Sequence, residues 1–177
     1  MGRKFPVPDP MSRTDLKKFD CSVAQTLGQI GEWWTLLIIR DAFHGIKRFD
    51  DFQTHLEISP TVLSARLRSL TRDGILQRQS SETDGRANEY ILTEKGLDLH
   101  PVLLSLMDWG EKHAPNPAGP RMRLLDKENL QPLPPITVRA ADGRALKARD
   151  VVVQSGSGSD EKMIALINYR NRQKSQQ

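Results

Sequence analysis

Residues 58–74 carry signals for both ends of one helix. Ser59 is an N-cap residue, and Pro60 after it fits the first helical position because an N–H there would have no partner within the helix. Gly74 is the residue type that best adopts the left-handed backbone with which helices end. Three leucines lie between these signals at helical spacing: Leu63, Leu67 and Leu70. The pattern predicts a helix over residues 58–73 that is held in place through this leucine stripe.

The opposite face of this helix differs in composition from the leucine stripe. At about 100° per residue it carries small, hydroxyl-bearing and basic side chains: Thr61, Ser64, Ala65, Arg68 and Arg72. Small residues let a helix enter the major groove of DNA, hydroxyls hydrogen-bond base edges, and arginine contacts guanine or phosphate. A pattern of this kind standing alone is more often a solvated face, so the neighbouring elements decide between the two interpretations.

Three further helices are predicted before this one, at residues 22–30, about 32–43 and 48–56, with Gly31 and Gly45 as breaks. The second and third helices have apolar residues at helical spacing that we expect to be buried: Trp34, Leu37, Ile38, Ala42, Phe49 and Phe52. The third helix is short and directly precedes the helix with the leucine stripe.

A two-stranded ribbon is predicted after the leucine-stripe helix, at residues 77–82 and 88–93. The turn Asp84-Gly85-Arg86 closes it, because Gly after Asp supplies the positive φ that a tight hairpin needs. A short helix, a longer helix and a ribbon in this order favour a winged helix-turn-helix domain that binds double-stranded DNA. The candidate DNA contacts are Arg48, Ser59, Thr61, Ser64, Ala65, Arg68, Arg72, Arg78 and Arg86.

Short motifs spread over residues 20–114 resemble those of one family. They are Gly31 with Trp34, Arg48-Phe49, Ile58-Ser59-Pro60, Leu63-Ser64-Ala65-Arg66-Leu67, Asp73-Gly74, Thr93-Glu94-Lys95-Gly96 and Trp109-Gly110. The chain is similar to the HxlR family of bacterial transcription regulators, which are relatives of the MarR group. It departs from the family at Trp33, where the family usually has lysine. The resemblance implies an α+β winged helix-turn-helix regulator.

A helix predicted from about residue 94 to 113 has more apolar surface than one contact uses, including Leu103, Leu106 and Trp109. In the resembling family the last helix of the domain pairs with the first helix of a second subunit across a two-fold axis. The resemblance therefore implies a homodimer that reads a palindromic operator with two helices. Alternatively, the segment after residue 120 covers this surface.

The remaining segments differ in composition from this domain, which spans residues 20–114. Residues 1–20 contain five basic and three acidic residues. Residues 21–120 contain ten basic and thirteen acidic residues, and residues 121–177 contain eleven basic and six acidic residues. Residues 1–19 are therefore a basic arm. Residues 115–120 read as a proline-rich linker, 121–155 as a small extension of short β-strands, and 156–177 as a flexible or partly helical basic tail.

No enzymatic or metal chemistry is predicted. The four histidines lack paired metal-ligand spacing, no phosphate-binding glycine loop occurs, and Cys21 is the one cysteine, so neither a cofactor nor a zinc site like that of some relatives is expected. Residues 1–10 lack the apolar stretch of a signal peptide, and no apolar run approaches membrane-spanning length. We expect a cytoplasmic protein that does not contact a membrane.

Cys21 is the one residue with possible chemistry of its own. It precedes a predicted helix, whose N-terminus favours a thiolate. Lys17 and Lys18 add positive charge nearby, while Asp20 opposes it. Family members that sense quinones, aldehydes or oxidants use a cysteine near this position. Two interpretations stay open, a redox sensor and an ordinary half-buried thiol.

The sequence thus predicts a dimeric, sequence-specific transcription regulator, controlled by a small-molecule effector or by thiol oxidation. The alternative is a winged helix that binds another protein without specific DNA recognition. Such a module has no need of positive groups on the recognition face, whereas this chain has Arg68, Arg72 and Arg86 there or on the ribbon.

Overall fold

The structure is a computed structural model that describes residues 16–81 and 87–174. Within these residues the helices are α1 (Ser22–Ile30), α2 (Trp33–Phe43), α3 (Phe49–Leu56), α4 (Pro60–Arg72), α5 (Glu94–Leu97), α6 (His100–His113) and α7 (Glu161–Lys174), and the strands are β1 (Leu76–Ser80) and β2 (Asn88–Leu92). The predicted α+β fold class is confirmed, and the first four helices end within two residues of the predicted bounds. None of the described helices is long and apolar enough to cross a membrane.

The chain divides into two compact units. One unit is Trp33–Val153, which contains α2 to α6 and the ribbon. The other unit contains residues 16–32 and 154–174 of the described part of the chain. In this second unit the Asp160 backbone N–H donates to Asp20 Oδ2 at 2.7 Å, and the tail forms α7, in which Ile167 is buried.

The core of the larger unit lies where α2, α3 and α4 meet the base of the ribbon. Its most deeply buried apolar side chains are Ile38, Ile39, Phe52, Leu63, Leu67, Leu70, Ile75 and Leu76. The predicted leucine stripe of α4 is therefore confirmed as the face that fixes this helix. Burial of these side chains is the main contribution that holds α4 against the rest of the unit.

The buried face of α2 differs from the predicted one. Among the residues expected to be buried there, only Ile38 is, while Trp34, Leu37 and Ala42 are half-buried; Phe49 of α3 is half-buried as well. The fully buried residues of α2 are Thr35, Ile38, Ile39 and Asp41. The face is rotated because α2 contacts α3, α4, α6 and β2 on several sides, and because the buried Asp41 has polar partners.

The single helix predicted over residues 94–113 is two helices, α5 and α6. Pro101 lies in the first turn of α6, and it has no N–H with which to bond the carbonyl of Leu97 one turn earlier. The chain therefore turns at Leu99, whose N–H donates to the Gly96 carbonyl at 3.1 Å.

The extension after residue 120 contains less strand than expected. Among its residues 121–155 the structure has isolated bridges, Leu125 with Pro132 and Arg139 with Ala145, and a short 3-10 turn at Ala148–Asp150. A turn forms at Gly143, with φ of 84°. Prolines at 132, 134 and 135 remove backbone donors, so a ladder cannot continue through this segment.

Candidate nucleic-acid interface

The helix pair α3 and α4 is joined by a tight turn at residues 57–59. Glu57 ends α3 in the left-handed region, with φ of 50°, and Ile58 is buried. Ser59 caps α4 as predicted, and its Oγ accepts from the Val62 N–H at 3.4 Å. Pro60 starts the helix without leaving a donor unused. The turn therefore sets the angle at which α4 leaves α3.

The predicted contact residues of α4 lie opposite its leucine stripe. Thr61, Arg68 and Arg72 are exposed, as is the capping Ser59, while Ser64 and Ala65 are half-buried. The buried face at Leu63, Leu67 and Leu70 thus leaves a continuous outer face with small residues in its centre. A helix with this profile fits the width of the DNA major groove.

The two arginines on this face differ in their surroundings. Arg72 Nε and Nη2 donate to Asp73 Oδ1 and Oδ2 at 3.0 and 3.1 Å, and Nη2 also donates to Ser69 Oγ at 2.8 Å. The hydrogen bond and the negative charge of Asp73 raise the pKa of Arg72 above its ordinary value. Within the described part of the chain, the guanidinium group of Arg68 has no hydrogen bond or ion pair. Arg68 is therefore the arginine of α4 that is open to a new partner.

The C-terminal end of α4 is held by the Thr93-Glu94-Lys95-Gly96 motif. Thr93 Oγ1 donates to the Gly74 carbonyl at 2.6 Å and accepts from the Gly96 N–H at 3.1 Å, so it caps α5 at the same time. Lys95 Nζ donates to the Asp73 carbonyl at 2.7 Å. A Cβ on Gly96 would lie 2.3 Å from the Ile75 carbonyl oxygen, so only glycine fits this approach.

The sequence predicts this motif as a family signature, whereas its clamp on α4 emerges only from the structure. The sequence does contain a signal for this clamp: a capping Thr follows closely after a strand, and a Gly lies three residues later.

A second support lies behind α3. Asp41 is fully buried, and its carboxylate oxygens lie 2.7 Å from Arg40 Nη2 and 2.7 Å from His55 Nδ1. The two contacts satisfy a carboxylate whose burial without partners would be costly. Sequence reasoning missed this group because one acidic residue in an apolar helix carries no distinctive spacing.

The ribbon follows α4 with β1 and β2 paired antiparallel, Arg78 opposite Tyr90. Arg78 is exposed, whereas the turn with Arg86 lies outside the described residues. Arg48 is half-buried at the start of α3, and its backbone forms a bridge with Glu89 of β2. It therefore lies beside β2 of the ribbon and not on the outer face of α4.

The residues predicted at a subunit interface separate into two groups. Leu106 and Trp109 are 49% and 64% exposed, while Leu103 is only 9% exposed because it packs into the core of its own unit. Leu103 thus has little surface to offer a second subunit. Leu106 and Trp109 lie on a different face of α6, together with Val102, which is also exposed.

Cys21 is half-buried and takes the N-cap position of α1 in extended backbone, with no side-chain cap hydrogen bond. This placement agrees with the predicted start of the first helix. Within the described residues, no group of three or more His, Cys, Asp or Glu side chains gathers as a metal-binding cluster.

Comparisons with known proteins agree on the kind of domain. A family model described as HxlR-like helix-turn-helix matches residues 29–117. The HTH-type transcriptional regulator Rv3095 of Mycobacterium tuberculosis is 37% identical over 144 residues, 81% of this chain and 91% of the relative. An alignment of that length necessarily runs past residue 120, so this relative shares residues beyond the family domain.

Two solved structures are similar over nearly their whole length. PA1607, described as a candidate transcription factor, has a TM-score of 0.75 at 40% identity, and the match covers 81% of this chain and all of the other. PA1374 of Pseudomonas aeruginosa, described in the same way, has a TM-score of 0.57 at 34% identity over 82% of this chain and 99% of the other.

Proposed function

The chain belongs to the HxlR-like helix-turn-helix family of DNA-binding transcription regulators, and we propose that it acts as a dimer on a palindromic operator. Its relatives are named as regulators and not as enzymes, which agrees with the expectation that this chain is not an enzyme.

Sequence-specific recognition is assigned to the outer face of α4, and the observation that carries this is the pairing of a buried leucine stripe with an open Arg68. Thr61, Ser64 and Ala65 beside it are small enough for close approach to base edges. Ser59 and Arg72 are assigned to the phosphates at the two ends of α4. Arg48, Arg78 and Arg86 are assigned to the DNA backbone or minor groove at the ribbon.

Dimerisation is assigned to the exposed face of α6 at Leu106 and Trp109. Large apolar side chains grouped on one helix face favour burial against a second surface, and a second copy of the chain supplies two recognition helices for two half-sites. Operator occupancy is proposed to respond to a small-molecule effector or to oxidation of Cys21. A cytoplasmic location stays a prediction.

The experiment that tests this is selection of binding sites from random double-stranded DNA by the full-length protein. We expect enrichment of an inverted repeat whose half-site centres are about 10–10.5 base pairs apart, or a multiple of that spacing. Failure to enrich any motif contradicts sequence-specific recognition. Enrichment of one unrepeated half-site contradicts a dimer on a palindrome.

A further inference from the structure

A pocket of about 300 Å³ lies between α6 and the extension, within the unit Trp33–Val153. The helix contributes Leu104, Met107, Asp108 and Glu111, which share one face because they are three, four and seven residues apart. Residues from 120–124 and 132–136 form the opposite wall. The volume is at the small end of the range for ligand sites.

The walls of this pocket are mainly apolar and in part rigid. Aliphatic and methionine side chains from both elements line it, and Pro132, Pro134 and Pro135 contribute to the wall on the extension. Proline rings fix φ, so the backbone of this wall has few alternative conformations that would close the pocket. An apolar pocket with few polar groups is the usual form of a small-molecule site.

The charges at the pocket balance one another. Glu111 Oε1 accepts from Arg121 Nη1 at 3.3 Å, so one carboxylate already has a cation beside it. The remaining pair, Asp108 and Arg123, is one acid and one base, and both are exposed. For a ligand with net charge, attraction to one member of this pair is offset by repulsion from the other, so nothing compensates the hydration it loses on entering apolar walls.

We propose that this pocket binds a small, uncharged, mainly apolar molecule with one hydrogen-bonding group, and that binding there changes the affinity for the operator. Asp108 and Arg123 supply the acceptor and the donor for that group. The regulatory half of the proposal rests on the proposed function.

The connection to DNA binding runs through α6. One face of this helix lines the pocket through Leu104 and Met107, a second is buried at Leu103, and a third is exposed at Leu106 and Trp109. A ligand that moves α6 against the core therefore also moves the face assigned to the second subunit. In a dimer this changes the distance between the two recognition helices, and with it the fit to both half-sites.

The binding test uses three probes with one ring system and different charge, 2-naphthalenemethanol, 2-naphthoate and 2-naphthylmethylammonium, titrated calorimetrically into the full-length protein. We expect the alcohol to bind once per chain and at least tenfold more tightly than either charged probe. Absence of binding by the alcohol, or tighter binding by a charged probe, overturns the assignment of ligand class.

Two variants place the binding site. Met122→Trp and Leu133→Trp fill the pocket from the extension, where both side chains are partly exposed, so neither change enters the core. Each is expected to weaken binding of the alcohol at least tenfold, while Val152→Trp, at a side chain that is 82% exposed and outside the pocket, leaves it unchanged. Equal affinity in the native protein and in both filled variants overturns the site.

The regulatory test measures affinity for the selected operator with and without saturating 2-naphthalenemethanol. We expect a change of at least fivefold in the native protein and in Val152→Trp, and none in Met122→Trp. An unchanged operator affinity at full probe occupancy overturns the coupling. If the protein selects no operator even without the probe, the proposed function fails, and the calorimetric result still decides the ligand site.

Discussion

Asp41 Oδ2 lies 2.7 Å from His55 Nδ1, and this hydrogen bond joins α2 to α3. The carboxylate is fully buried, whereas the imidazole is about half exposed at 54%. The bond fixes α3, against which the proposed recognition helix α4 packs.

Loss of this imidazole is expected to destabilise the fold. His55→Ala leaves the buried carboxylate with Arg40 alone, and the expected loss in free energy of unfolding is about 1–2 kcal/mol. Urea unfolding followed by circular dichroism measures it. The control is His44→Ala, at an exposed histidine at the end of α2, with an expected change within about 0.5 kcal/mol. Equal effects of the two changes would contradict a structural role for the bond.

Gly96 and Gly110 provide a matched pair of glycines. A Cβ on Gly96 meets the Ile75 carbonyl oxygen at 2.3 Å, so Gly96→Ala is expected to lower the free energy of unfolding by roughly 1–3 kcal/mol. A Cβ on Gly110 meets nothing within 4 Å, and Gly110→Ala within α6 is expected to raise it by about 0.5–1 kcal/mol. Denaturant unfolding at one protein concentration compares them. An unchanged free energy of unfolding in Gly96→Ala would show that the backbone moves away from the added Cβ without cost.

Arg68 is expected to read a base. Arg68→Ala should reduce operator affinity by about 1–3 kcal/mol and reduce discrimination between the operator and random DNA. Fluorescence anisotropy on both DNAs measures the two quantities, with Arg149→Ala, at an exposed arginine of the extension, as the control that changes neither. Equal losses on both DNAs would assign Arg68 to a phosphate.

Trp109 is expected to be an anchor of the dimer. Trp109→Ala removes a large apolar side chain that is 64% exposed in one chain, and we expect the dissociation constant to rise by on the order of thirtyfold, or about 2 kcal/mol. Light scattering over a dilution series follows the change from twice the chain mass toward 20.0 kDa. Val152→Ala is the exposed control. A native protein of single-chain mass at all concentrations would refute the dimer.

Cys21 tests redox control. In Cys21→Ser the new residue is one that the N-cap position of α1 favours, so the fold is expected to persist. If the thiol is a sensor, peroxide or a quinone changes operator affinity in the native protein and leaves Cys21→Ser unaffected. Identical DNA binding before and after modification, with oxidation of Cys21 verified by mass spectrometry, would leave a small-molecule ligand as the means of control.

Features with a local cause could be predicted from the sequence. The ends of α4 follow from Ser59, Pro60 and Gly74, and its buried face follows from the spacing of three leucines. These signals act within a few residues, so no knowledge of the tertiary structure is needed. The start of α1 at Ser22 and the positive φ at Gly143 have the same local origin.

Features that depend on partners distant in the sequence could not be predicted from it. Asp41 is buried because of a residue on another helix, and Leu103 is internal because α6 packs on α2. The break before α6 was missed although Pro101 signals it, since the apolar spacing continues through it. The contacts of Arg72 with Asp73 show that a residue on the outer face can have a local partner as well.

The clamp on α4 uses main-chain atoms of the clamped segment. Thr93, Lys95 and Gly96 contact the carbonyl groups of residues 73, 74 and 75, and every amino acid offers the same carbonyl. The side chains on the outer face of α4 take no part in this anchorage. They are therefore free to change during evolution without loosening the helix. Under the function proposed here, substitutions at a few outward positions would give the same scaffold a new operator sequence.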